Sequence, residues 1–175
     1  MAFINIEIKA KCFHPEKVEA FLVSAGADFK GIDFQKDTYF KVENGRLKLR
    51  QGNIENNLIY YERSNLSGPK PSYFQLVQVK DSNTLLDMLT RAIGKKIVVD
   101  KKRKIFFIEN VKFHIDEVVG LGFFVEIEAS NLLHPEKTEQ ELQAQCAAYM
   151  DALNIHEEEL LQYSYSDMLM EIDLQ

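Results

Sequence analysis

Cysteine and proline are scarce in this 175-residue chain, which carries two cysteines, Cys12 and Cys146, and four prolines. There is no CxxC, and the one close Cys-His pair, Cys12 with His14, offers too few ligands for a metal cage, so a disulfide scaffold and a structural zinc site are both excluded. A chain of this length buries roughly 70% of its unfolded surface and needs no covalent staple. No stretch is rich enough in Pro, Gly or Ser to act as an interdomain linker, and one domain over residues 1–175 is expected. No apolar run approaches the roughly 20 residues that span a bilayer, and Met1 to Lys11 alternates instead of forming a signal-peptide core. No membrane contact and a cytoplasmic location are therefore expected.

What is present in quantity is charge, 21 Lys plus Arg against 27 Asp plus Glu, unevenly placed. Met1 to Leu133 carries a net +3, whereas His134 to Gln175, with Lys137 as its one base, carries −9. Helical patterns account for the acidic tail, Pro135 to Leu153 and Glu157 to Tyr163, so acidic C-terminal helices are expected over about 135–170. Two further helical patterns run over Pro15 to Ala25 and Asn83 to Ile93, ended by Gly26 and Gly94.

The remainder reads as strands: Ile4 to Cys12, Asp37 to Glu43, Arg46 to Gln51, Leu58 to Arg63, Phe74 to Val79, Lys101 to Ile108, Val111 to Val118 and Phe123 to Ala129. Turn signals at Glu43-Asn44-Gly45, Glu109-Asn110 and Gly120-Leu121-Gly122 join neighbours. Some eight strands in hairpin succession predict an α+β protein whose antiparallel sheet curls or closes, with helices outside.

Side chains at i, i+2 and i+4 of a strand share a face, and the charges are sorted accordingly. Asn5, Glu7, Lys9 and Lys11 lie opposite Ile6, Ile8 and Ala10. Arg46, Lys48 and Arg50 lie opposite two leucines; Lys112, His114 and Asp116 share a face, as do Glu126 and Glu128. One such strand is an ordinary half-buried strand with a wet face. Recurrence on many strands suggests a channel lined by both signs, in which acids hold a divalent ion and bases hold phosphates. Periodicity by itself does not distinguish a closed barrel from an open sheet. His114 reads either as a general base or ligand or as a hydrogen-bonded structural histidine. Tyr60, Tyr61 and Tyr73 read as base-stacking or packing residues. The run Lys101-Lys102-Arg103-Lys104 is split by alternation between the two faces, which argues against a nucleic-acid patch.

The same residues carry a resemblance. The strand Asn5-x-Glu7-x-Lys9 is followed in order by Gln35-Lys36-Asp37-Thr38-Tyr39-Phe40, Gly45-Arg46-Leu47-Lys48-Leu49-Arg50, Leu58-Ile59-Tyr60-Tyr61-Glu62-Arg63 and Gly68-Pro69-Lys70. Then come Lys101-Lys102-Arg103, His114-Ile115-Asp116, Gly120-Leu121-Gly122, Glu126-Ile127-Glu128 and Ser164-Tyr165-Ser166-Asp167. In this order the chain resembles the CYTH group, the triphosphate tunnel metalloenzymes, and most closely their class IV adenylate-cyclase-like branch.

The resemblance implies an eight-stranded antiparallel closed β-barrel that holds a linear triphosphate and a divalent cation, Mg2+ or Mn2+. It implies Glu7, Glu126 and Glu128 as metal ligands with Asp116 assisting, and Lys9, Lys11, Lys48, Arg50, Arg63 and Arg103 as phosphate contacts. It also implies a small-molecule triphosphate as partner and pairing as a homodimer. Two departures stand out: Asn5 replaces the first glutamate of the family's opening E-x-E-x-K, and Tyr61-Glu62-Arg63 stands where cyclases of this type place a lysine before a glycine. Three functions follow: a cyclase converting ATP to cyclic AMP and pyrophosphate, a phosphohydrolase of thiamine triphosphate, nucleoside triphosphate or tripolyphosphate, and a non-catalytic polyphosphate- or nucleotide-binding module.

Overall fold

Alternation of apolar and charged residues yields eight strands in the computed structural model, which describes residues 3–63 and 70–174. They are β1 (Phe3–Lys11), β2 (Asp28–Phe40), β3 (Arg46–Gln51), β4 (Asn56–Arg63), β5 (Lys70–Gln78), β6 (Lys95–Ile108), β7 (Val111–Val118) and β8 (Gly122–Ser130). Helices α1 (Pro15–Ser24), α2 (Ser82–Ile93), α3 (Glu139–Ala152) and α4 (Tyr165–Asp173) complete the fold. Every strand pair is antiparallel, in the order β1-β5-β4-β3-β2-β6-β7-β8, and the ring closes because β1 pairs with both β5 and β8.

Closure places the two faces of each strand in different surroundings. Ile6, Ile8 and Ala10 of β1, Phe113 and Ile115 of β7, and Val125, Ile127 and Ala129 of β8 face outward. They form one buried cluster with Val18 and Leu22 of α1 and with Leu142, Cys146 and Met150 of α3. Burying such side chains contributes about 1.5–3 kcal/mol each for the larger ones, so this shell fixes the register of the three strands. The polar face is thereby turned inward.

Several element boundaries differ from the sequence expectation. β2 begins at Asp28 and not at Asp37, because a bulge between Phe29 and Gly31 breaks the two-residue period and the buried residues of its first half, Asp33 and Gln35, are polar. β6 begins at Lys95, directly after Gly94 closes α2. The third helix starts at Glu139, not Pro135, since Thr138 and Glu141 form a reciprocal capping box. In place of a helix over Glu157 to Tyr163 there is a single 3-10 turn at Glu157–Glu159, and α4 begins after a second capping box, Ser164 with Asp167. α4 caps the barrel end at which β8 begins: Tyr165 is buried among Tyr39, Tyr61, Val99, Val118 and Phe124, with Leu169 and Met168 packed behind. No described helix is long and apolar enough to cross a membrane.

The connection from β3 to β4 is anchored on β2. Asp33, fully buried, accepts from the backbone N–H groups of Ile54 and Glu55 at 2.9 Å each and from Gln35 Nε2 at 2.8 Å. Gly52 passes so close to this carboxylate that a Cβ there would collide with it. The anchoring brings Glu55 to the mouth of the barrel.

Candidate functional site

The barrel interior holds a cavity of about 300 Å³ lined by inward-facing residues of all eight strands, the charged ones coming from six of them. β1 supplies Asn5, Glu7 and Lys9; β2 supplies Asp37; β3 supplies Lys48 and Arg50; β6 supplies Lys101 and Arg103; β7 supplies Lys112; β8 supplies Glu126 and Glu128. The mouth at which β1 begins is apolar, lined by Phe3, Phe74, Leu76, Phe107, Leu132 and Leu133. Phe3 and Phe74 pack edge to face there, 3.9 Å between centroids.

Two buried charge networks organise the interior. In the first, Asp37, 1% exposed, receives Arg50 through Nε and Nη2 at 2.9 and 2.8 Å, Lys101 Nζ at 2.8 Å, and Lys48 Nζ at 3.4 Å. Burial would raise its carboxyl, but Arg50, Lys101 and Lys48 outweigh burial and hold it well below the usual carboxylate range. Burial pushes the Lys101 ammonium down to about 7, against the pull of Asp37 and with Arg50 and Arg103 repelling it. Arg50 Nη1 also reaches Glu55 at 2.8 Å, and Glu55 pairs with Lys112. Burial opposes ionisation of Glu55, yet Arg50 and Lys112 hold its carboxyl far below the ordinary value.

In the second network Arg103 donates to Asp116 at 2.7 and 2.5 Å and to Glu126 at 2.8 Å. Glu126 also meets Lys9 at 3.0 Å, while Lys9 lies 3.8 Å above the Tyr165 ring, whose hydroxyl donates to Asp116 at 2.8 Å. His114 Nδ1 is 3.0 Å from Glu126 and 3.6 Å from Glu128. Burial and Arg103 depress the His114 pKa, so the ring is neutral at neutral pH, and its Nε2 is buried with no partner among the described residues.

A divalent cation fits one wall. The ligand atoms of His114, Glu126 and Glu128 lie within 4.8 Å of one another. Glu7 stands directly opposite Glu128 in the β1–β8 register, a like-charge pairing that an intervening cation would relieve. Asn5, 3% exposed on the same wall, has a buried Oδ1 with no hydrogen-bond partner among the described residues. Carboxylate and amide oxygens are hard donors of the kind that hold a divalent cation, and the His114 imidazole adds one softer donor.

Of the residues expected in the site, Lys9, Lys48, Arg50, Arg103, Glu7, Glu126 and Glu128 meet in this cavity. Lys11 is exposed at the end of β1 and does not line it. Asp116 is fully buried behind Arg103 and is not part of the lining. Arg63 ends β4, and its side chain lies outside the described residues, as do Gly68 and Pro69. Tyr61 lines the cavity, whereas Tyr60 bonds Glu62 on the exposed surface and Tyr73 is half exposed. The basic run divides as alternation requires: Lys101 and Arg103 turn inward, and Lys104 reaches Glu19 of α1 at 2.5 Å. Sequence reasoning did not assign site roles to Asp37, Lys101, Glu55, Lys112 and Tyr165. The signal for Asp37 was available, since three cations on one strand face need a counter-anion when that face is buried.

A family model described as CYTH domain matches residues 4–165. A protein of Methanocaldococcus jannaschii named "Putative adenylate cyclase" is 25% identical over 178 residues, spanning 94% of this chain and 98% of that protein. Among solved structures, a protein of Pyrococcus horikoshii superposes with a TM-score of 0.76 at 24% identity, covering 93% of this chain and 98% of the other. A "putative adenylyl cyclase" from Hippeastrum, described as revealing a dominant triphosphatase activity, superposes with a TM-score of 0.62 at 13% identity, covering 99% and 96%.

Proposed function

The chain belongs to the CYTH domain family, and from that premise we propose that it is a metal-dependent enzyme acting on a nucleoside triphosphate in its barrel, converting ATP to cyclic AMP and pyrophosphate. One observation carries the reading: five cations from three strands, Lys9, Lys48, Arg50, Lys101 and Arg103, share a closed cavity with the carboxylate wall of Glu7, Glu126 and Glu128. Phosphoryl transfer asks a protein mainly to position the phosphate chain and to neutralise charge in the transition state. The cations do the first by gripping non-bridging oxygens, and the apolar mouth around Phe3 and Phe74 offers a surface for a base. Glu7, Glu126, Glu128, His114 and Asn5 would hold the Mg2+ or Mn2+ ion, which supplies charge neutralisation on the phosphates when bound. A homodimer in the cytoplasm belongs to the same proposal.

The second reading is a triphosphate phosphohydrolase. It is favoured by the departure at Tyr61-Glu62-Arg63, because the charged lining addresses phosphate wherever the chain attached to it leads. The reactions differ in the phosphorus attacked: the ribose 3'-oxygen attacks the α-phosphorus in the cyclase, and water attacks the terminal phosphorus in the hydrolase. Incubation with Mg2+ or Mn2+ and, separately, ATP, thiamine triphosphate and tripolyphosphate decides between them. Cyclic AMP with equimolar pyrophosphate is the expected product from ATP; phosphate release from all three would establish the hydrolase, and binding without turnover would reduce the protein to a binding module.

A further inference from the structure

We propose that Asp37 and Asp116 are positioning residues that aim the two tunnel arginines at the substrate, an inference that rests on the triphosphate reading above. The two sites repeat one arrangement. Asp37 stands directly opposite Arg50 in the β2–β3 register, and Asp116 directly opposite Arg103 in the β6–β7 register. In each pair the arginine donates Nε to one carboxylate oxygen and Nη2 to the other, at 2.9 and 2.8 Å for Arg50 and at 2.7 and 2.5 Å for Arg103. Both aspartates are essentially without solvent exposure, at 1% and 0%.

A two-point fork fixes the plane of a guanidinium as well as its position, which a single hydrogen bond does not. With the inner edge of each arginine committed to its aspartate, a second, less buried carboxylate that lines the cavity takes a further N–H. Glu55 accepts from Arg50 Nη1 at 2.8 Å, whereas Glu126 accepts at 2.8 Å from Arg103 Nη2, the nitrogen that also serves Asp116. The inner contact is the fixed one, and the outer contact is the one phosphate oxygens replace on binding. Asp116 is assigned to Arg103 and not to the metal: its Oδ2 already accepts from Arg103 and from the Tyr165 hydroxyl. Asp37 extends the same service to Lys101 and Lys48, which gather on its Oδ2.

The sign of the effect separates positioning from bulk charge. Replacing either aspartate by asparagine makes the cradle more positive, so electrostatics alone would tighten binding of a polyanion. Loss of the fork disorders the arginine plane and weakens it. The experiment is calorimetric titration of the full chain with tripolyphosphate in the presence of Mg2+, together with steady-state kinetics on ATP. Asp37→Asn and Asp116→Asn are each expected to bind at least about tenfold more weakly, with KM rising by more than kcat falls. Arg103→Lys should reproduce the loss, and the Asp116→Asn/Arg103→Lys double variant should be no weaker than Arg103→Lys alone. Unchanged or tighter binding in folded aspartate variants would overturn the proposal.

Arginine Nε–H resonances of the wild-type protein test the fork without any substitution. Two strongly protected Nε–H signals are expected, and they should persist at saturating tripolyphosphate; rapid exchange of both would contradict the proposal. Wild-type protein that binds no tripolyphosphate with Mg2+ or Mn2+ would instead sink the triphosphate reading, with the exchange measurement still deciding the fork.

Discussion

Glu126→Ala and Glu128→Ala are each expected to lower metal-dependent turnover by about 100- to 1,000-fold, the scale for removing a preorganised group that stabilises developing charge, while leaving the barrel folded. The separation of the two effects follows from where the side chains lie. Both project into the cavity, whereas the residues that hold β8 in register, Val125, Ile127 and Ala129, project the other way into the helix-covered shell. Loss of Glu126 leaves Arg103 on Asp116, while Lys9 keeps the Tyr165 ring but loses its carboxylate, so Glu126→Ala carries some loss of stability beside the loss of turnover. Glu128 stands opposite Glu7 in register, and its removal relieves a like-charge pairing in the metal-free protein. Circular dichroism and thermal melting should therefore change little for Glu128→Ala, and the deficit should appear in turnover and in metal affinity. Unaltered activity in both variants would remove the carboxylate wall from the site.

The largest expected effect on stability belongs to Arg103→Ala. Arg103 is 3% exposed and neutralises Asp116 and Glu126 together. Taking away one partner of a buried ion pair strands its charge at a cost of about 3–5 kcal/mol, about 6–20 °C in Tm for a chain of this size. The pH dependence provides a check on the cause. Burial acts to raise both carboxyls, but Arg103 for Asp116, and Lys9 with Arg103 for Glu126, outweigh it and lower both. A carboxyl whose folded value lies below its unfolded value contributes stability that is fully present above the unfolded value, about 4 to 4.5, and is lost as pH falls through the folded value. Wild type and Arg103→Ala should thus differ most at neutral pH and converge on acidification. A gap that stays constant from pH 7 to pH 3 would attribute the loss to packing and not to stranded charge.

The strands that were legible are those whose two faces contrast most. β3 and β7 fall at Arg46–Gln51 and Val111–Val118, where the alternation places them, because every second residue is charged or polar. The first half of β2 was illegible for the opposite reason. Its buried positions, Asp33 and Gln35, are polar and its exposed neighbour Phe34 is apolar, an inversion that serves the anchoring of the β3–β4 loop and not a hydrophobic core. The start of β6 was hidden because Lys95 and Lys96 follow a helix-ending glycine and read as its tail. α4 had a readable signature, Ser164 three residues before Asp167, but the preceding Glu157-Glu158-Glu159 drew the helix toward itself.

Strand alternation located the carboxylates and most of the cations on inward faces, and closure of the ring brought them together. Pairing across strands was beyond it. That Asp37 meets Arg50, that Asp116 backs Arg103, and that Tyr165 returns from the far end of the chain to cover Lys9 depend on register and on α4 capping one end of the barrel. No local pattern encodes those distances.

A divalent ion on the carboxylate wall and a triphosphate on the cations of one cavity must each favour binding of the other. Calorimetric titration of tripolyphosphate into the wild-type protein and Glu128→Ala, each with Mn2+ and with EDTA, measures this directly. Mn2+ is expected to tighten wild-type binding by about tenfold or more, a coupling of about 1.4 kcal/mol, and the gain is expected to disappear in Glu128→Ala. Equal affinity with Mn2+ and with EDTA in the wild-type protein would contradict it.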